Sequence, residues 1–270
     1  MYTNGEFPVS VAVSSELKIA CVANGGAVAG MSCASYNTKT GLGKFDALRP
    51  WNIGQSTPPI APINGPADVF FNIDESEVVV MIKGNLTAAL PGFVAKYAVD
   101  KSSGQVAMTG PEVTPKGSLV LFGTALIPGT DSVLASDAGF GGLILNLDAL
   151  ETPVAVTNIT DNMATCWSVT SPLTGTGFLN DIVVSHLVEV DLINGDIVTV
   201  VSNMNDGQGM ADMRAVGGRI YALSPGNGTA YPAAVTVFDI GGGRGSVKSI
   251  QNFVIDGADA NSEGLAVMTY

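Results

Sequence analysis

The sequence predicts an all-β fold: a β-propeller of about five four-stranded blades with a partial sixth. Three observations carry this. Short apolar segments recur at a spacing near 50 residues, turn residues punctuate them, and no stretch sustains a helical period. The composition agrees. Of 270 residues 33 are glycine, 46% are hydrophobic and only 13% are charged, against roughly 25% charged in an ordinary soluble domain. Many short strands buried on both faces would produce that balance.

Each repeat pairs an apolar segment with a second one across a polar turn. Val9–Val13 and Leu17–Asn24 form the first instance, and Ala67–Phe71 and Val78–Lys83 the second. Phe122–Ile127 and Val133–Asp137 follow, then Cys166–Val169 and Phe178–Asp181, then Ala211–Val216 and Ile220–Ser224. Ser262–Val267 begins a sixth. The aligned starts are Ser10, Asp68, Gly123, Trp167, Asp212 and Glu263, giving steps of 58, 55, 44, 45 and 51. Third and fourth strands are clearest at Phe93–Val99 with Gln105–Met108, and at Leu187–Leu192 with Ile197–Val201. The latter pair is joined by Asn194-Gly195, a strong hairpin signal between β-branched runs.

The expected units are 8–64, 65–116, 117–161, 162–207, 208–258 and a partial 259–270, all within one propeller domain. A propeller closes when strands from both termini share a blade and so hide their edges. Five units and one further strand do not make an even set. The expectation is a six- or seven-bladed ring that lacks N-terminal blades, with a closed five-bladed ring as the alternative.

Charge and hydropathy exclude several classes. Twelve basic against 24 acidic residues give a net charge of −12, which does not suit a nucleic-acid phosphate backbone. The longest nearly apolar stretch, Leu119–Ile127, is too short to span a bilayer. Cys21 and Cys33 flank the turn Asn24-Gly25-Gly26. A disulfide across that hairpin is easy, although two buried thiols would read the same. Cys166 is left over. Sequons at Asn85, Asn158 and Asn227 fall in expected loops or strand ends and suit glycosylation. With the scarce lysines they point to a secreted protein, although the first residues contain no apolar signal segment.

The run Gly5-Glu6-Phe7-Pro8-Val9-Ser10-Val11-Ala12-Val13 leads into Cys21-Val22-Ala23-Asn24, and Gly54-Gln55-Ser56-Thr57-Pro58-Pro59 follows. With these the chain resembles fungal secreted 3-carboxymuconate cyclase-like proteins of the lactonase-type seven-bladed propeller superfamily. The wording is recognisable over the first 65 residues, and the repeat pattern over most of the chain. The resemblance implies a propeller with a pocket on its top face and muconate cycloisomerase-like or lactonase-like activity. True cycloisomerases of this kind would carry a His with Arg and Glu partners. This chain has one histidine and four arginines, Arg49, Arg214, Arg219 and Arg244.

In such a fold the starts of the innermost strands and the turns after the second strands share one face. Asp68, Asp137, Asp181, Asp212 and Glu263 fall at those places, with His186 close to them. Neighbouring carboxylates raise one another's pKa, which poises one for acid or base work. The expected catalytic residues are therefore His186, Glu263, Asp212 and Arg214, the last able to hold a substrate carboxylate bidentately. Gln55, Asp68, Trp167 and Asp181 are the expected substrate-binding residues. The bland alternative is that each Asp caps loop amides, that His186 packs in a strand and that Trp167 is a wall.

No cofactor is required by this reading. If a cation is used, Asp137, Asp181, Asp212 and Glu263 would supply oxygens suited to Ca²⁺. One His and no Cys pair at ligand spacing argue against zinc. Nucleophile-elbow, P-loop and dinucleotide motifs are absent, and Gly241-Gly242-Gly243-Arg244-Gly245 reads as a hairpin turn. The expected function is acid/base chemistry on a small organic acid or lactone. The alternatives are a non-catalytic secreted propeller that binds a ligand or partner, and a Ca²⁺-dependent hydrolase.

Overall fold

A computed structural model describes residues 2–60, 63–204 and 208–268. Among these residues there is no helix, so none is long and apolar enough to cross a membrane. The chain packs as two compact units, Met1–Phe122 and Gly123–Tyr270.

The first unit holds two sheets. Sheet one comprises β1 (Glu6–Ser14), β2 (Ile19–Gly25), β3 (Gly30–Asn37), β4 (Gly41–Leu42) and β5 (Arg49–Pro50). Sheet two comprises β6 (Pro66–Phe71), β7 (Glu77–Ile82), β8 (Phe93–Asp100), β9 (Gln105–Val106) and β10 (Glu112–Val113). Both run in chain order to the third strand, and each then carries two short outer strands instead of the expected single fourth one. β4 and β5 both pair with β3, and β9 and β10 both pair with β8. Prolines break these outer edges: Pro50 ends β5, and Pro111 precedes β10, its carbonyl accepting from Lys96 N.

The core of this unit lies between the two sheets. Cys21, Ala23, Met31 and Cys33 meet Val69, Val78, Val80 and Ala95. Cys21 and Cys33 sit directly opposite on β2 and β3 and are joined by a disulfide. Trp51 closes the cluster, its Nε1–H donating to the Tyr97 hydroxyl at 2.7 Å. Arg49 is fully buried, but Asp46 and the Val106 and Ala107 carbonyls satisfy its guanidinium, which makes its burial tolerable.

The second unit is built on three four-stranded antiparallel sheets. Sheet three is β11 (Leu121–Leu126), whose first two residues belong to the first unit, β12 (Ser132–Asp137), β13 (Gly141–Asn146) and β14 (Ala155–Asn158). Sheet four is β15 (Thr165–Ser171), β16 (Thr176–Asp181), β17 (His186–Asp191) and β18 (Ile197–Ser202). Sheet five is β19 (Asp212–Val216), β20 (Arg219–Ser224), β21 (Ala234–Asp239) and β22 (Lys248–Val254). Gly217-Gly218 turns β19 into β20 with Val216 opposite Arg219, and Gly217 supplies the positive φ of 57° that so tight a turn needs.

The alternation of side chains fixes which residues meet. On β17, Val188 and Val190 join Leu134 and Ile144 of sheet three, whereas Leu187 joins Met213, Ile220 and Phe238 of sheet five. Buried hydroxyls tie the close-packed strands of sheets three and four. Ser136 Oγ lies 2.8 Å from the Cys166 carbonyl, Ser168 Oγ 2.8 Å from Leu134 and Thr170 Oγ1 2.8 Å from Leu126.

Ser262–Val267, expected to open a further sheet, forms no ladder strand among the described residues. A strand needs a partner for its backbone groups. Here residues 256–268 make local turns, Ala258 N to Ile255 O and Ser262 N to Asp259 O, and one longer bond from Leu265 N. Thr269 and Tyr270 of that expected segment lie outside the described residues. So do Ala61, Pro62 and residues 205–207 of the expected units.

Candidate active site

The second unit gathers three of the expected residues: Asp212, Arg214 and Trp167. Asp212 and Arg214, two apart on β19, project from the face opposite Met213, which packs into the sheet-four core. Asp212 is buried. Its Oδ1 accepts from Arg214 Nη1 at 2.5 Å and from Met213 N at 2.6 Å, and its Oδ2 accepts from Leu265 N at 2.6 Å. Burial pushes its carboxyl above the usual carboxylate range, and Arg214 and the two amides oppose this only in part. Three donors leave a carboxylate with about one acceptor site unused.

Arg214 leans back from β19 so that its guanidinium carbon lies 5.5 Å from the centre of the Trp167 ring. Nη1 also donates to the Met213 carbonyl at 2.7 Å. Among the described residues Nε and Nη2 have no hydrogen-bond partner, and the side chain is 39% exposed. Trp167 reaches this position because β15 bulges. Cys166 and Trp167 together oppose Asn180, whose Oδ1 accepts from Trp167 N at 2.8 Å. The indole lies on Gly123 of β11, where a Cβ would stand 2.3 Å from the ring. Cys166 keeps a buried thiol, 3.4 Å from the Ala211 carbonyl.

The other expected residues are placed differently. His186 shares its face of β17 with Val188, on the sheet-three side, and its Nδ1 lies 3.4 Å from Asp161 Oδ2. No described contact joins it to Asp212 or Arg214, because one step of strand alternation turned it away. Glu263 is exposed in the segment without a strand, and it is the amide of Leu265 that reaches Asp212. Asp181 is fully buried and accepts four backbone amides: Met163 and Ala164 on Oδ2, Val183 and Val184 on Oδ1. Asp137 is likewise buried and caps the Gly139 amide at 2.9 Å.

In the first unit, Asp68 is buried beside the Ser10 hydroxyl at 3.3 Å. Gln55 spends both ends of its amide on the backbone, with Oε1 accepting from Gly26 N and Nε2 donating to the Ile63 carbonyl. It fastens its loop instead of presenting a binding group. A cavity of about 400 Å³ in this unit, lined by Tyr2, Asn4, Leu42, Gly43, Lys44 and Phe45, contains none of the expected residues. The four carboxylates offered for Ca²⁺ are not gathered either. Among the described residues no group of three or more His, Cys, Asp or Glu is placed to hold a metal ion.

Asn180 and Gly123 were not expected as site residues. The repeat places Gly123 at a strand start, but its role depends on which ring lies above it, and that is set by register between sheets. The asparagine at the end of β16 carried no signal beyond its place beside Asp181.

Comparison with solved structures decides the architecture. The chain superposes on the periplasmic gluconolactonase of Pseudomonas aeruginosa with a TM-score of 0.68 at 12% identity, covering 93% of this chain and 73% of that one. The fold is a β-propeller. A putative 6-phosphogluconolactonase of Bacteroides fragilis matches with a TM-score of 0.60 at 13% identity, covering 92% of this chain and 71% of that one. Hydrazine synthase of Kuenenia stuttgartiensis matches at 0.54 and 15% identity over 72% of this chain, which spans half the length of that protein. No protein-family model and no curated protein matches the sequence. At these identities the likeness is one of fold, and lactonase-named propellers recur among the neighbours.

Proposed function

We propose that this propeller acts on a small lactone or organic acid by acid/base chemistry at Asp212, with Arg214 holding the reacting molecule. The observation that carries the reading is the pairing itself. A buried carboxyl with a raised pKa stands against a half-exposed guanidinium that still has an unengaged edge. The neighbours named as gluconolactonase and 6-phosphogluconolactonase support lactone chemistry. In the hydrolytic direction, water oxygen bonds the acyl carbon and the ring C–O bond breaks. The proton that Asp212 takes from water passes to the departing ring oxygen, giving a hydroxy acid. Cycloisomerisation, implied by the cyclase-like resemblance, would run related proton transfers on an unsaturated diacid.

Turnover of a panel of five- and six-membered lactones tests this. Asp212→Asn is expected to remove turnover and Arg214→Gln to weaken substrate binding. Turnover that persists in Asp212→Asn, or its absence in the wild type, overturns the reading. A second reading, a non-catalytic binding propeller, draws on the three donors already resting on Asp212, which would make the pair a fixed anion seat. The disulfide and the periplasmic neighbour favour an extracellular or periplasmic setting. Asn158 and Asn227 are exposed sequon positions suited to glycosylation, and Asn85 is half-buried at a loop start.

A further inference from the structure

We infer that Asn180 is a positioning residue for Arg214, acting through the bulged backbone of Trp167; this rests on Asp212 and Arg214 being the working pair.

Three contacts form a chain across the sheets of the second unit. Asn180 Oδ1 holds Trp167 N at 2.8 Å, the point where β15 carries two residues opposite one. A bulge leaves an amide without its ladder partner and re-aims the side chain beside it. Asn180 restores that partner and thereby fixes where the indole points. The indole has Gly123 against it, where a single methyl would collide with the ring, and the Arg214 guanidinium above it. A guanidinium confined over an aromatic face loses less freedom when Nη1 pairs with Asp212. The strength of the ion pair therefore depends on a residue that touches neither partner. Asn180 itself is almost fully buried, and its Nδ2 has no hydrogen-bond partner among the described residues, so the side chain is anchored through its oxygen.

The experiment follows Trp167 fluorescence against pH in a Trp51→Phe background, since Trp51 and Trp167 are the two tryptophans. The Asp212 transition is identified by its loss in Asp212→Asn. Asn180→Leu removes the acceptor, and Gly123→Ala displaces the indole by an independent route. Both are expected to move the midpoint upward by about half a pH unit or more, because burial would then act on Asp212 with less help from Arg214. Glu189→Gln, a buried change elsewhere in the same unit, is expected to lower Tm without moving the midpoint. An unmoved midpoint in folded Asn180→Leu and Gly123→Ala overturns the inference, as does an equal shift in Glu189→Gln. If Asn180→Leu does not fold, Gly123→Ala decides alone. The readout needs no turnover. A shifted midpoint without lactonase activity would overturn the proposed function and reduce this inference to a structural coupling from Asn180 to Arg214, whereas an unmoved midpoint with activity would overturn this inference and leave the proposed function.

Discussion

The Asp212 carboxylate and the Arg214 guanidinium meet at 2.5 Å from positions two apart on one strand, β19. Strand alternation puts both on the same face, so backbone geometry forms the pair locally, and burial of Asp212 then gives it chemical character.

That burial sets a pH dependence of stability. A carboxyl whose native pKa is raised holds its proton more tightly folded than unfolded. Its stabilising contribution is complete below the unfolded value of 3.8 and is lost as pH rises through the native value. Asp212→Asn removes this loss. The Tm of the variant relative to wild type is expected to climb as pH rises from about 4 toward 7. Parallel Tm curves over that range would refute the assignment.

Asp181 is expected to matter for folding and not for chemistry. Asp181→Ala strands four backbone amides in a buried site, each costing about 1–3 kcal/mol if left unpaired. A loss of about 3 kcal/mol or more in urea unfolding is expected, with Asp181→Asn intermediate. A change below about 0.5 kcal/mol would place Asp181 among ordinary surface positions.

The Cys21–Cys33 bridge closes a short loop of sequence separation 12, for which chain entropy predicts about 3 kcal/mol. Thermal unfolding with and without reductant measures it. Cys21→Ala with Cys33→Ala should lower Tm to the same value as reduction. A double variant as stable as the oxidised protein would show the bridge to be energetically idle.

Glu189 is a buried carboxylate whose two oxygens both accept from Gly245 N at 3.1 Å, while Thr176 Oγ1 donates to Oε1 at 2.8 Å. One residue away, Arg244 pairs with Asp191 at 2.5 Å. Together they clamp the glycine-rich turn between β21 and β22 onto sheet four. Glu189→Ala is expected to cost about 2–3 kcal/mol and to speed hydrogen exchange at the Gly245 amide. Unchanged exchange at that amide would mean the turn holds itself.

The strands were legible because β-branched runs and turn dipeptides are local signals. Asn194-Gly195 announced the β17–β18 hairpin, whereas the two cysteines around Asn24-Gly25-Gly26 left a bridge and two buried thiols equally open until the register of β2 and β3 set them opposite each other. The site was legible only in part. Asp212 and Arg214 share a strand, so their proximity needed no knowledge of packing. His186 stands apart from that pair because a shift of one position on β17 exchanges sheet three for sheet five as its neighbour. The seat of Trp167 was invisible for a related reason: it needs a bulge opposite Asn180 and a missing side chain 44 residues earlier. The divided outer strands of sheets one and two escaped the four-strand pattern because each is only two residues long, too short for an alternation to show, although Pro50 and Pro111 mark one boundary in each sheet.

Those divided strands also bear on how the protein behaves in company. Two-residue strands at the rim of sheets one and two offer an incoming chain too little ladder to grow on. Among the described residues the seven-residue β22 has a ladder partner on one side only, and it exposes Ile250, Phe253 and Val254. At high concentration, unwanted self-association would be seeded there, and one lysine at Ile250 or Phe253 should raise solubility without disturbing the fold.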